Sequence, residues 1–378
     1  VLLATVALAA GAVAAVLPAC AGPQHTEAPT SATGVERVAT FERMPSGVAV
    51  HGTRVFVAFP RWYDPGDATV YELEGGDLVP YPSAAHNDVA AGPEALHSVN
   101  GLHMDSRGWL WILDNARVDL GPAVVGAPKL VVWDTVSERE VFRHVFSSEI
   151  APPAAAFLND VVVDEAFGYA YLTQSGMGGP PSLVAFEIHR DRAERVLDGD
   201  ASVQADPDRT FSVEGQAATV TRADGAVVPW RVAANGLVLA PDGQTLLFGA
   251  TSSDVLHAVP TVALRNPDLP DAERAAHVRA HGRKPVSDGL CASPDGRIFA
   301  TDIERSAVVE LTGDAPQVVA QDPSLVFPVA CEASEDGWLW ITGSELHLLP
   351  LLHGGRDDRS GRNGLFRVRY AGAAPSQP

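Results

Sequence analysis

At 378 residues the chain exceeds the usual size of a single hydrophobic core, so it holds either two domains or one large repetitive β architecture. The 34 Gly and 29 Pro, together with short, turn-bounded apolar segments, favour the second. A formal charge of −20, from 47 acids against 27 bases that are nearly all Arg, leaves no basic stripe to neutralise a phosphate backbone and excludes nucleic acid as a partner.

The chain begins with VLLATVALAAGAVAAVL, uncharged throughout, before Pro-Ala-Cys and a polar run. That length suits the apolar region of an export signal better than a membrane span, although no basic segment precedes it. We expect a signal over residues 1–20 and a flexible tether over 21–34. Leu17-Pro18-Ala19-Cys20 resembles a bacterial lipobox, with Cys20 as the lipidated residue, and Pro18 is atypical of that motif. Cleavage near Ala19 without lipid and an uncleaved anchor helix stay open beside it. The expectation is an exported monomer, secreted or held outside the cytoplasmic membrane or in the periplasm, with lipid as its only membrane attachment.

From residue 35 the same shape recurs six times: PSGVAVHGTRVFVAF from Pro45, VNGLHMDSRGWLWILD from Val99, LNDVVVDEAFGYAYLTQ from Leu158, ANGLVLAPDGQTLLFGA from Ala234, SDGLCASPDGRIFATD from Ser287 and PVACEASEDGWLWITG from Pro328. Each is an apolar strand, a tight turn and a second strand rich in aromatic and β-branched residues, the pattern of a β-hairpin. Taking Ser46, Asn100, Asn159, Asn235, Asp288 and Val329 as equivalent, the spacings are 54, 59, 76, 53 and 41 residues, which suit four-stranded blades. A hairpin cannot bury both faces alone, so each blade needs neighbours and a closed ring removes the end blades. The predicted fold is all-β, a six-bladed β-propeller around a central channel over residues 35–372. Residues 35–44 supply an outer strand to the last blade beside GLFRVRY, and 373–378 form a disordered tail.

The first strand of a propeller blade lines the channel, so the six equivalent residues meet at one mouth of it. Three amides, a hydroxyl and a carboxylate form a set of oxygen ligands suited to one hard divalent cation, Ca²⁺ or Mg²⁺ before Zn²⁺, or to a small polar ligand. Ser46, Asn100, Asn159, Asn235 and Asp288 are the ligand-binding candidates, with Asp160 as a further oxygen source and Glu332, three residues past its ring position, pointing elsewhere. Pure turn chemistry explains Asn-Gly and Asp-Gly nearly as well.

The family that these residues resemble is the major royal jelly protein and Yellow family, in its bacterial branch. The likeness rests on FLNDVVVD with YLTQSG, RVLDGDASVQADPDRTFSVEGQ, ANGLVLAPDGQTLLFGATSS with LHAVPT, KPVSDGLCASPDGRIFATDIERSAVVEL and FPVACEASEDGWLWITGSELHLL. It implies a six-bladed, secreted protein, and in insects a link to dopachrome conversion and to small amines bound in the channel. A more distant likeness to the gluconolactonase and senescence-marker propellers implies that Asn235 and Asp288 match metal ligands and Asn159 an assisting residue. Ser46 stands where those proteins carry a metal-binding Glu, which weakens a lactonase mechanism.

Cys291 and Cys331, in the first strands of neighbouring blades, fit either a disulfide or two buried thiols. Trp109, Trp111, Trp338 and Trp340 read as packing between blades, and Asp302 and Glu304 as surface loop residues. His103 sits near the channel as a candidate proton carrier with Asp288 as ligand or base; His347 and His353 do not read as a metal pair. Three functions remain: a carrier of a small polar or aromatic molecule, an enzyme at the same place (lactone hydrolase or indole-quinone tautomerase), or an extracellular interaction platform.

Overall fold

The turn residues of each repeat dictate its hairpin. In VNGLHMDSRGWLWILD the Asp105 carboxylate accepts from the N–H groups of Arg107 and Trp109 at 2.9 and 3.0 Å, and Gly108 takes the positive φ, +77°, that closes the turn. Residues 34–370, apart from Ala223 and Asp314, are described in this computed structural model. The expected signal, Cys20, most of the tether and the tail over 373–378 lie outside the described residues.

Each hairpin gains two outer strands, giving six four-stranded antiparallel sheets. Blade one comprises Val48–His51, Arg54–Ala58, Val70–Glu74 and Asp77–Pro80; blade two, Val99–Met104, Trp109–Asp114, Lys129–Asp134 and Arg139–Val145. Blade three comprises Leu158–Asp164, Tyr169–Gln174, Ser182–Glu187 and Arg192–Val196; blade four, Ala234–Leu239, Thr245–Ala250, Val255–Pro260 and Arg279–Arg283. Blade five comprises Leu290–Ala292, Ile298–Asp302, Ala307–Glu310 and Gln317–Gln321. Blade six takes Pro328–Ala333, Trp338–Gly343 and Asn363–Arg369 from the end of the chain and Glu36–Phe41 from its beginning, so pairing of Glu36 with Arg367 and of Phe41 with Asn363 closes the ring. The fold is the predicted six-bladed propeller, with the predicted closing strand.

The core is not one mass but layers between adjacent blades. Trp111 and Leu130 of blade two meet Val161 and Phe186 of blade three, and Tyr171 of blade three meets Phe248 of blade four. Phe41, Trp340 and Leu365 of blade six pack on Val57 and Phe59 of blade one, so the seam closed by the N-terminal strand has the same apolar filling as the others. Full burial of each such side chain contributes about 1.5–3 kcal/mol, and only a closed ring buries both faces of every sheet.

Near the axis the first strands crowd together. A Cβ added at Gly289 would lie 2.5 Å from the Val329 carbonyl oxygen, and one at Gly236 2.9 Å from that of Asp288. These glycines serve close approach of backbones, and their φ values are not positive, which corrects the turn-chemistry reading of Asn-Gly and Asp-Gly here.

Two long excursions leave the face where the first strands begin. The link from blade three to blade four carries two small hairpins, Ser212–Val213 with Gln216–Ala217 and Thr219–Thr221 with Val227–Pro229. The other joins Gly343 to Asn363 within blade six. Among the described residues no helix is long and apolar enough to cross a membrane.

Candidate functional site in the central channel

The ring residues do gather, and four of the six first strands open with a break in their ladders. Register shifts fall between Val99 and Gly101, Leu158 and Val161, Ala234 and Leu237, and Pro328 and Cys331. Such bulges free backbone N–H groups, and second-strand threonines collect them. Thr173 Oγ1 accepts from Asp160 N–H at 3.1 Å, Thr301 Oγ1 from those of Asp288 and Gly289 at 3.1 Å, and Thr342 Oγ1 from Ala330 N–H at 3.0 Å. Thr173 and Thr342 then donate to the carbonyls of Asn235 and Ser46 in the next blade, each at 2.6 Å.

The result is a hydrogen-bonded polar belt. Ser46 Oγ donates to the Asn100 carbonyl at 2.6 Å, Asn100 Nδ2 to the Asn159 carbonyl at 3.0 Å and to Asn159 Oδ1, and Asn159 Nδ2 to Ser175 Oγ at 3.0 Å. Across the belt Asn235 Nδ2 donates to Asp288 Oδ1 and to Thr251 Oγ1, the latter at 2.9 Å. Ser46, Asn100, Asn159 and Asn235 are buried and Asp288 is half-buried. Val329 contributes an apolar side chain at the sixth position.

Below the belt lies a cavity of about 1060 Å³ running to the first-strand turns at His51, Ser106, Glu165, Pro294 and Asp336. Of the carboxyl groups that line it, Asp105, Glu165, Glu335 and Asp336 belong to the turns, while Asp160 of blade three, Asp288 of blade five and Glu332 of blade six come from the first strands or the segments leading into them; His103 of blade two lines it as well. Burial pushes Asp288 up to about 7 against the pull of Thr251, Asn235 and Lys284. Burial first, and the charge of Asp288 as well, push Asp160 up to about 7 although Val161 and Leu237 N–H groups hydrogen-bond to it. Glu332 rises to about 8 through burial and the neighbouring Asp160. Burial lowers His103 to about 4, which leaves its ring neutral at physiological pH. The nearest lysine does not neutralise the acids by contact, since Lys284 Nζ donates to the carbonyls of Ser253 and Pro285 at 2.8 and 3.0 Å.

Glu332 therefore does not point elsewhere, as simple alternation suggested. The bulge between Pro328 and Cys331 resets the side-chain parity of that strand, and the bulge at Leu158–Val161 does the same for Asp160. The second-strand Thr in YLTQ and WITG was the signal for those bulges. Asp302 is likewise buried instead of on the surface, its carboxylate 2.5 Å from Arg305 Nε. Cys291 and Cys331 are paired between blades five and six with Cα atoms 5.8 Å apart, on the same channel wall.

The belt is a poor cradle for a divalent cation. Asn159 Oδ1 already accepts from Asn100 and the Ser46 hydroxyl is turned to a carbonyl, leaving Asp288, the side-chain Oδ1 of Asn235 and Asn100 Oδ1, the last 3.3 Å from that hydroxyl, as donors. Among the described residues no three His, Cys, Asp or Glu side chains form a metal-holding group.

A sequence model described as "Major royal jelly protein" matches residues 97–350, more than half of the chain. Curated relatives include "Protein yellow" of Drosophila erecta, 26% identical over 332 residues that cover 80% of this chain, and that of Drosophila melanogaster at 25%. The match spans 58% of the length of those relatives. Among solved structures, a gluconolactonase of Xanthomonas campestris superposes with a TM-score of 0.51 at 15% identity, covering 88% of this chain and 86% of that one. Regucalcin of Agrobacterium tumefaciens, a calcium-binding protein, gives 0.50 at 13%, covering 88% and 94%. At such identities the likeness is one of fold.

Proposed function

The chain belongs to the major royal jelly protein family, and from that premise we propose that it is an exported carrier of a small organic cation, an aromatic amine, held in the central channel. The observation that carries the reading is the convergence of Asp160, Asp288 and Glu332 on one cavity with no basic side chain among the described residues paired to any of them. Carboxyl groups raised to about 7 and 8 wait for a positive charge: an ammonium group in the channel favours their ionised forms and replaces the lost hydration. The apolar walls, Val50, Leu102, Val163, Leu237 and Leu290 among them, suit an aromatic body behind that charge.

Thermal unfolding of the full chain at pH 7.5 with tyramine, neutral p-cresol and Ca²⁺ separates the occupants. Tyramine raises Tm in the wild type and not in an Asp160→Asn/Asp288→Asn double variant, while p-cresol and Ca²⁺ do little. Equal stabilisation by tyramine in both proteins overturns the reading, and a Ca²⁺ effect lost with Asp288 replaces the amine by a metal.

A second reading has its own support. Groups titrating near 7 and 8 are competent proton carriers at neutral pH, so Asp160 or Asp288 as base and Glu332 as acid suit tautomerisation of an indole-type quinone better than His103, whose ring stays neutral. Turnover of such a quinone, lost in Glu332→Gln, would favour the enzyme.

A further inference from the structure

The two excursions on the belt side of the propeller are fastened to each other. Arg362 Nη1 and Nη2 donate to the two Glu214 oxygens at 2.6 and 2.8 Å, and buried Glu345 holds Arg362 in place by accepting from its Nε at 2.8 Å. Between them lies a second cavity, of about 380 Å³, which shares no lining residue with the channel.

Its walls differ in kind from the channel's. Trp230 lines it, packed against Phe211 and Phe327 at ring-centroid distances of 5.7 and 5.8 Å. His347 lines it as well, stacked on Phe327 at 6.1 Å with planes 5° apart. Leu352 and Val213 add apolar surface, and Thr219 and Thr221 add hydroxyls. The charges on the walls already have partners: Glu214 has Arg362, and Asp358 takes both His353 and Arg356, at 2.9 and 3.2 Å. A cationic ligand finds no uncompensated carboxylate here.

One polar group is left over. His347 Nε2 lies 3.3 Å from Glu214 Oε2, which places the proton on Nε2 and the lone pair on Nδ1. Nδ1 is buried and has no hydrogen-bond partner among the described residues. A buried acceptor without a donor is destabilising, and a ligand O–H or N–H that reaches Nδ1 from the cavity relieves it.

We infer that this cavity is a second ligand site, taking a small neutral aromatic molecule that carries a hydrogen-bond donor, of the phenol or indole class. The volume sits at the lower end of small-molecule pockets, about 300–1000 Å³, which fits one or two fused rings. The site is independent of the channel and stands or falls apart from the amine reading.

Indole is the probe, titrated calorimetrically into the full chain, with 1-methylindole as a partner lacking the N–H. We expect one indole per chain, with affinity unchanged in Asp288→Asn and about tenfold weaker in Trp230→Ala, as loss of an aromatic face requires. Ala217→Phe, at an exposed position on the cavity wall, fills the space without touching the core and abolishes binding. 1-Methylindole binds about tenfold more weakly than indole, because it leaves the buried acceptor unpaired. No indole binding up to its solubility limit, binding that survives Ala217→Phe, binding lost in Asp288→Asn, or equal affinity for 1-methylindole would each overturn the inference.

Discussion

Replacing Asp288 by Asn keeps an acceptor for Asn235 and Thr251 and removes one ionisable group from the channel. In the wild type this carboxyl is raised from 3.8 to about 7, so the folded state holds its proton where the unfolded chain has released it. Stability from this group is complete below pH 3.8 and is lost as pH rises through about 7. At about 1.4 kcal/mol per unit the whole effect is about 4 kcal/mol, of which about 2.6 kcal/mol falls between pH 5 and 8. With an unfolding entropy of about 2.1 cal/mol/K per residue over some 340 residues, that corresponds to about 4 °C in Tm. Differential scanning calorimetry of wild type and Asp288→Asn across pH 5–8, without ligand, should show the variant's Tm falling about 4 °C less than the wild type's. Parallel curves would mean that Asp288 is an ordinary solvated carboxylate and that the channel does not desolvate it.

Three further outcomes follow from the same geometry. Gly289→Ala, whose new Cβ meets the Val329 carbonyl at 2.5 Å and the Ala330 Cα at 2.8 Å, should lower stability by about 2–3 kcal/mol in urea unfolding, since two backbones must separate. Reducing the Cys291–Cys331 pair, which closes a 40-residue loop, should lower unfolding free energy by about 4 kcal/mol, and thiol titration of the unreduced, unfolded protein should find neither sulfur free. Lys129→Met leaves the fully buried Asp114 without its partner, now 3.0 Å away, and should cost about 3–5 kcal/mol, far more than losing the exposed Arg54–Glu138 pair.

The propeller was legible because its information is local. A strand, a turn with Asp or Gly in fixed places and another strand can be read within sixteen residues, and the six copies with their spacing specify the ring. The closing strand was legible for the same reason: an unpaired apolar segment near residue 36 and another near 364 needed each other. The belt was legible as a set of equivalent positions, and Ser46, Asn100, Asn159, Asn235 and Asp288 do meet there.

The channel acids were harder to read. Asp160 and Glu332 follow bulges, and one extra residue in a strand reverses which face each later side chain takes, so counting by twos sends Glu332 away from the axis. The glycines misled in a related way, since Gly289 and Gly236 answer to a neighbouring blade forty or more residues away in sequence. His347 and Trp230 lie over a hundred residues apart, and the fastening of two loops by Arg362 and Glu214, with Phe327 stacked on both rings, brings them to one cavity.

Calorimetric titration of tyramine at pH 6.5, repeated in buffers of different ionisation enthalpy, counts the protons exchanged on binding and so tests directly whether buried carboxyl groups receive the amine. With Asp160 and Asp288 near 7 and Glu332 near 8, binding should release close to one proton or more per amine, and the release should shrink in Asp160→Asn/Asp288→Asn together with the affinity. Binding with no proton release, or with the same release and affinity in the double variant, would contradict the account.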